Sequence, residues 1–143
     1  MSRIKILSTP TLVVNAAGTG FDAPTDTTNW PLDATTAGVK TPLIDGEILK
    51  VVINFTAVDV SADLTVSTRD TPSENIVALA AHNWATTDVT LYPLIEGLLN
   101  TNGAAAAANK TNVFQKYAVR GSLLIDCADA TDNDTVKITF YYR

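Results

Sequence analysis

The sequence has one histidine, His82, and one cysteine, Cys127. A Ser-His-Asp relay or a Cys-His pair would have to use them, because a hydroxyl or thiol needs an adjacent base to become a nucleophile. His82 lies in LAAHNWA, beside Trp84, and reads as a structural or surface histidine. Cys127 falls on the inward parity of an alternating segment, which predicts a buried, inert thiol. The run DCADATDND supplies Asp126, Asp129, Asp132 and Asp134. Calcium takes several oxygen ligands from one loop, but this spacing departs from D-x-D-x-D-G. A hairpin turn accounts for the Asp and Asn by itself. Asp59 and Asp63 flank another turn and are expected to be solvated. No phosphate loop, dinucleotide fingerprint or zinc spacing occurs. The reading is of a non-enzyme with no cofactor, metal or small-molecule substrate.

What must position these residues is a chain of 143 residues, a length that suits one domain. It is 46% hydrophobic, enough for a core, and 17% charged, below the usual quarter or so. Low charge and many threonines suggest strands whose surfaces something else covers. The net charge of −5 repels phosphates and argues against a nucleic-acid partner. No apolar run approaches the roughly 20 residues of a membrane helix. MSRIKILSTP lacks the apolar stretch of a signal peptide, and a lone cysteine forms no internal disulfide, so synthesis in the cytosol is expected. The N-x-T triplets at Asn54, Asn109 and Asn133 are then chance matches.

Alternation predicts strands over most of the rest. RIKILSTPTLVV (3–14) alternates, and Pro10 confines it to an edge or breaks it. Residues 15–42 are dense in Gly, Pro, Asp and Thr and read as a long loop or arm. Its Phe21, Trp30 and Leu32 either anchor it to the body or meet a partner. In GEILKVVINFTAVDV (46–60), Leu49, Val51, Ile53 and Phe55 share one face, and DLTVSTRD (63–70) is expected to pair with it as a hairpin. ENIVALAAHNW (74–84) is a further strand candidate. Residues 88–110 read as an insertion: a strand end, a short helix after Pro93 carrying Leu94, Ile95, Leu98 and Leu99, then an alanine-rich loop. In VFQKYAVRGSLLIDC (113–127), Val119, Gly121, Leu123, Ile125 and Cys127 share a face. DTVKITFYYR places Val136, Ile138, Phe140 and Tyr142 inward and Lys137, Thr139, Tyr141 and Arg143 outward, and the last two strands are expected to form a hairpin that holds Arg143 inside a finished sheet. The whole predicts an all-β antiparallel sandwich or jelly roll, residues 1–143 as one domain.

Aromatic residues both fill cores and enrich interface centres. Tyr141 is the ring whose parity sends it outward. Phe21, Trp30, Leu32, Trp84, Tyr92, Tyr141 and Arg143 are the interface candidates.

The segments YAVRGSLLIDCADATDNDTVKITFYYR (117–143) and GEILKVVINFTAVDVSADLTVSTRD (46–70) resemble the last strands and central hairpin of jelly-roll decoration proteins, also called cement or head-stabilisation proteins, of tailed bacteriophages. The resemblance covers about half the chain. It implies a virion protein bound outside the capsid, commonly as a homotrimer, that clamps neighbouring major capsid subunits, with 15–42 and 88–110 as arms. The competing expectation is a carbohydrate- or receptor-binding jelly roll of a tail or fibre, which needs Trp30, Trp84 or Tyr141 on an exposed platform.

Overall fold

The computed structural model describes residues 3–70, 73–85, 88–96 and 114–143. Among them the regular elements are all strands: β1 (Lys5–Ser8), β2 (Leu12–Val13), β3 (Val39–Lys40), β4 (Ile44–Thr56), β5 (Ala62–Thr68), β6 (Asn75–His82), β7 (Val89–Leu91), β8 (Leu94–Glu96), β9 (Phe114–Lys116), β10 (Ala118–Gly121), β11 (Leu123–Ala128) and β12 (Thr135–Tyr142). A six-stranded sheet centres on β12 and β4, with β1 and β2 along the far side of β12 and β10 and β7 along the far side of β4. A four-stranded sheet runs β3-β11-β5-β6, and β8 pairs with β9 in a small ribbon. Every pairing is antiparallel. The protein is an antiparallel β-sandwich.

One core fills the space between the sheets. From the larger sheet come Ile44, Ile48, Val51, Ile53, Val136, Ile138 and Phe140; from the smaller come Leu64, Val66, Val77, Leu123, Ile125 and Cys127. Removing each large aliphatic or aromatic side chain from water contributes about 1.5–3 kcal/mol. β12 has the expected parity: Val136, Ile138 and Phe140 are buried, and Lys137 is exposed.

Neither expected hairpin forms. β4 and β5 lie in different sheets, and so do β11 and β12. An alternating strand shows only that one of its faces is buried, and a neighbour in sequence can satisfy that from the facing sheet as well as from the adjacent ladder position. The linkers 57–61 and 129–134 therefore cross between the layers. The single strand expected over 113–127 is likewise divided. β10 pairs with β4, the chain turns at Gly121–Ser122, and β11 joins β5 in the other sheet.

β4 also departs from uniform alternation. Tyr141 faces Lys50 but Tyr142 faces Ile48, so Leu49 is a bulge residue. The extra residue reverses parity, placing Ile48 in the core and leaving Leu49 half-buried. The helix expected after Pro93 is absent at Leu94–Glu96, which pair with Phe114–Lys116 as strand. The rest of that insertion, 97–110, lies outside the described residues.

Residues 15–42 are laid against the sandwich. Phe21 bridges to Val14 and Leu32 to Val39, and the Gly20 amide donates to the Cys127 carbonyl at 3.0 Å. β3 extends the smaller sheet through β11.

Candidate protein-binding face

The catalytic candidates do not converge. The Cys127 thiol is buried and lies 3.3 Å from the Gly20 carbonyl, and burial pushes its pKa up to about 12. His82 is half-buried on β6 with its ring 5.2 Å from that of Phe55. The Asp-rich turn is used in its own folding. Asp129 and Asn133 have positive φ, Asp126 accepts from the Cys127 amide at 2.9 Å, and buried Asp134 accepts from the Val58 amide at 3.2 Å. Burial raises the Asp126 pKa, with the hydrogen bond from Cys127 working against it. Among the described residues no three His, Cys, Asp or Glu side chains are grouped to hold a metal ion. Asp59 and Asp63, expected to be solvated, are half-buried acceptors. Asp59 takes the Ser61 amide and the Thr131 hydroxyl, and Asp63 takes the Ala81 amide.

The interface candidates divide. Phe21, Trp30 and Trp84 are buried in the chain's own core, and Leu32 packs half-buried against it. Phe55 stacks on Trp84 with ring centroids 4.9 Å apart. These rings are therefore anchors, and neither tryptophan offers an exposed platform for a sugar. Tyr92 and Arg143 are exposed, and Tyr141 is half-buried on the outer face of the larger sheet.

The strand register builds that face. Ile6 stands opposite Tyr141, and Tyr141 opposite Lys50. The Lys50 ammonium sits 4.4 Å from the Tyr141 ring centroid, a cation–π contact that orients both side chains. Ile6 is 63% exposed. Across β4, Leu91 pairs with Val51, and the chain passes straight into Tyr92, 68% exposed, on the Lys50 side. The next row is Ser8, Thr139, Val52 and Thr90, with the Ser8 and Thr139 hydroxyls 3.0 Å apart. Beyond it stand Lys137 and Asn54, the latter donating to Asp88 at 3.2 Å. The face thus grades from aromatic and aliphatic at the Ile6 end, through small hydroxyls, to charge. An apolar patch with a polar surround is the usual anatomy of a protein-binding surface.

Sequence reasoning missed Ile6 and Lys50. The signal was present: Pro10 marks an edge, and Ile4 and Ile6 share a parity, but nothing local says which parity faces out.

A second exposed apolar feature is the 57–61 crossing. Val58 and Val60 are 77% and 67% exposed. The backbone beneath them is fixed from several sides: the Asp59 carbonyl accepts from the Trp84 and Ala85 amides at 3.1 and 3.0 Å, and its carboxylate holds Ser61 and Thr131 at 2.9 and 2.8 Å. Two valines are presented on a loop that is already ordered, so a partner that covers them meets little ordering cost.

No family model matches this chain, and no match was found among curated proteins or solved structures.

Proposed function

We propose that this protein is a structural virion protein that binds the outside of a tailed-phage capsid and stabilises contacts between major capsid subunits. The observation that carries the protein-binding part is the Ile6–Tyr141–Lys50 row with Tyr92 beside it. It is an apolar and aromatic patch on a stiff antiparallel sheet, where contact area is gained without much loss of backbone freedom. The capsid as partner, and a homotrimer as the assembled form, rest on the sequence resemblance of 46–70 and 117–143.

Sedimentation tests this directly. The purified protein is run alone and with expanded or precursor capsids assembled from the major capsid protein of the same genome. The expected result is a trimer that travels with expanded capsids and leaves precursor capsids bare. A monomer that stays behind with both capsid forms contradicts the proposal.

A further inference from the structure

Away from the outer face, a cleft of ≈ 220 Å³ opens where β5 ends and where the chain crosses from β10 to β11. Thr68, Arg69, Asp70, Val119, Arg120, Gly121 and Ser122 line it. We propose that this cleft binds a carboxylate group carrying a single negative charge.

Its donors are the two arginines. Arg69 spends one N–H on the Ser122 hydroxyl, at 3.2 Å, which holds its guanidinium across the cleft. A guanidinium has five N–H donors in a planar fork that matches a carboxylate. Asp33, on the adjacent loop, feels the Arg69 charge but pairs with Lys40 at 4.0 Å. Arg120 stands opposite Asp45 in the β10–β4 ladder, yet it forms no ion pair with Asp45 or with any other described residue. Gly121, which follows Arg120 in the lining, has φ +146°. Apart from its chain neighbours, no atom lies within 4 Å of where a Cβ would stand, so a ligand can approach the backbone there. Val119 supplies an apolar wall. With Asp70 in the lining and Asp45 opposite Arg120, two carboxylates balance the two guanidinium groups, so the cleft offers no net charge to hold a phosphate dianion, and a carboxylate is recognised by the guanidinium fork rather than by charge alone.

The test is an NMR titration of the full chain, following the Gly121 and Ser122 amides. The probes are sodium acetate, sodium phosphate, sodium chloride at matched ionic strength, and a short peptide with a free or amidated C-terminus. Acetate is expected to give saturable shifts that chloride does not reproduce and that phosphate matches only more weakly. Arg120→Ala, at an exposed position that leaves the spectrum dispersed, is expected to weaken acetate binding about tenfold or more, the worth of a charge-assisted hydrogen bond. Asp70→Asn is expected to tighten it. A free-acid peptide that binds better than acetate, with its amide silent, makes a chain terminus the source of the group; equal affinities make it a small free carboxylate. Unsaturable shifts, shifts equal to those in chloride, tighter binding of phosphate, or an unchanged response in Arg120→Ala would each overturn the proposal.

Discussion

Glu47 and Arg143 exchange both of their backbone hydrogen bonds, at 2.7 and 3.1 Å. Arg143 is thereby held by β4, the central strand of the sheet, rather than by the strand that precedes it in sequence. The approach is close because Gly46 sits at φ +153°, with the Arg143 carbonyl oxygen 2.5 Å from where its Cβ would be. Gly46→Ala is therefore expected to lower stability by about 1–3 kcal/mol through backbone strain and loss of this pair. Urea unfolding measures it; an unchanged midpoint would mean the pair is dispensable.

Phe140 and Tyr141 are adjacent and point to opposite sides of one strand. Phe140 is fully buried against Val51 and Leu7, while Tyr141 lies on the outer face under the Lys50 ammonium. Phe140→Ala is expected to cost about 3–5 kcal/mol, from lost burial and the cavity left behind. Tyr141→Ala should cost about 1 kcal/mol or less, the scale of an exposed cation–π contact. Thermal or urea unfolding of the two variants checks the difference, and similar losses would contradict the assigned parity.

The Cys127 thiol should resist alkylation in the native protein at mildly alkaline pH and react once the chain unfolds. Burial raises its pKa from 9.0 to about 12; the Gly20 hydrogen bond works against this, and the Asp126 charge adds a smaller increase. A pKa higher in the folded state means a contribution to stability that is whole below about pH 9 and is lost as pH rises towards about 12. Tyr117, also raised by burial and then by the Glu74 charge, acts in the same direction. Cys127→Ala should flatten the alkaline fall in stability, a comparison that isolates the thiol from the tyrosine.

Asp88 works at the acid end. Its carboxylate accepts from the Phe55 amide at 3.0 Å and from Asn54, and these bonds, the Phe55 one foremost, hold its pKa below the ordinary value. A depressed carboxyl stabilises the fold above the unfolded-state pKa and loses that contribution as pH falls through the folded value. Asp88→Asn is expected to make the acid limb of the stability profile shallower, with little change in the alkaline limb. An unaltered acid limb would show that the bonds to Phe55 and Asn54 do not couple to folding.

Asp59→Ala should loosen the crossing that presents Val58 and Val60. It removes the acceptor of the Ser61 amide and the Thr131 hydroxyl, for an expected loss of about 1–3 kcal/mol. Limited proteolysis at 57–61 should become faster than in the parent protein. Equal cleavage rates would show that the backbone bonds from Trp84 and Ala85 suffice to order the loop.

The all-β class and the inward row of β12 were legible because period-two alternation reports burial directly. Residues such as Ile138 and Phe140 have no other use for that pattern. Sheet membership was not legible, since Leu64 and Ile53 show the same alternation whether their strands pair side by side or face each other across the core. The bulge at Leu49 was hidden in the unbroken run of apolar or long side chains from Glu47 to Ile53, which satisfies either parity. Trp30 and Trp84 illustrate the limit for the site: an isolated aromatic in a polar context looks the same whether it closes a core or meets a partner. Tyr141 could be placed because Phe140 and Tyr142 fixed its parity from both sides.

The proposed function requires the Ile6–Tyr141 row to engage another protein. The most direct measurement is co-sedimentation with expanded capsids of the parent chain and of an Ile6→Ser/Tyr141→Ser double variant whose unfolding curve confirms that it is folded. The account predicts that the parent chain pellets with the capsids and that the variant stays in the supernatant. Equal recovery of the two with the capsids, or failure of the parent chain to bind at all, would contradict it.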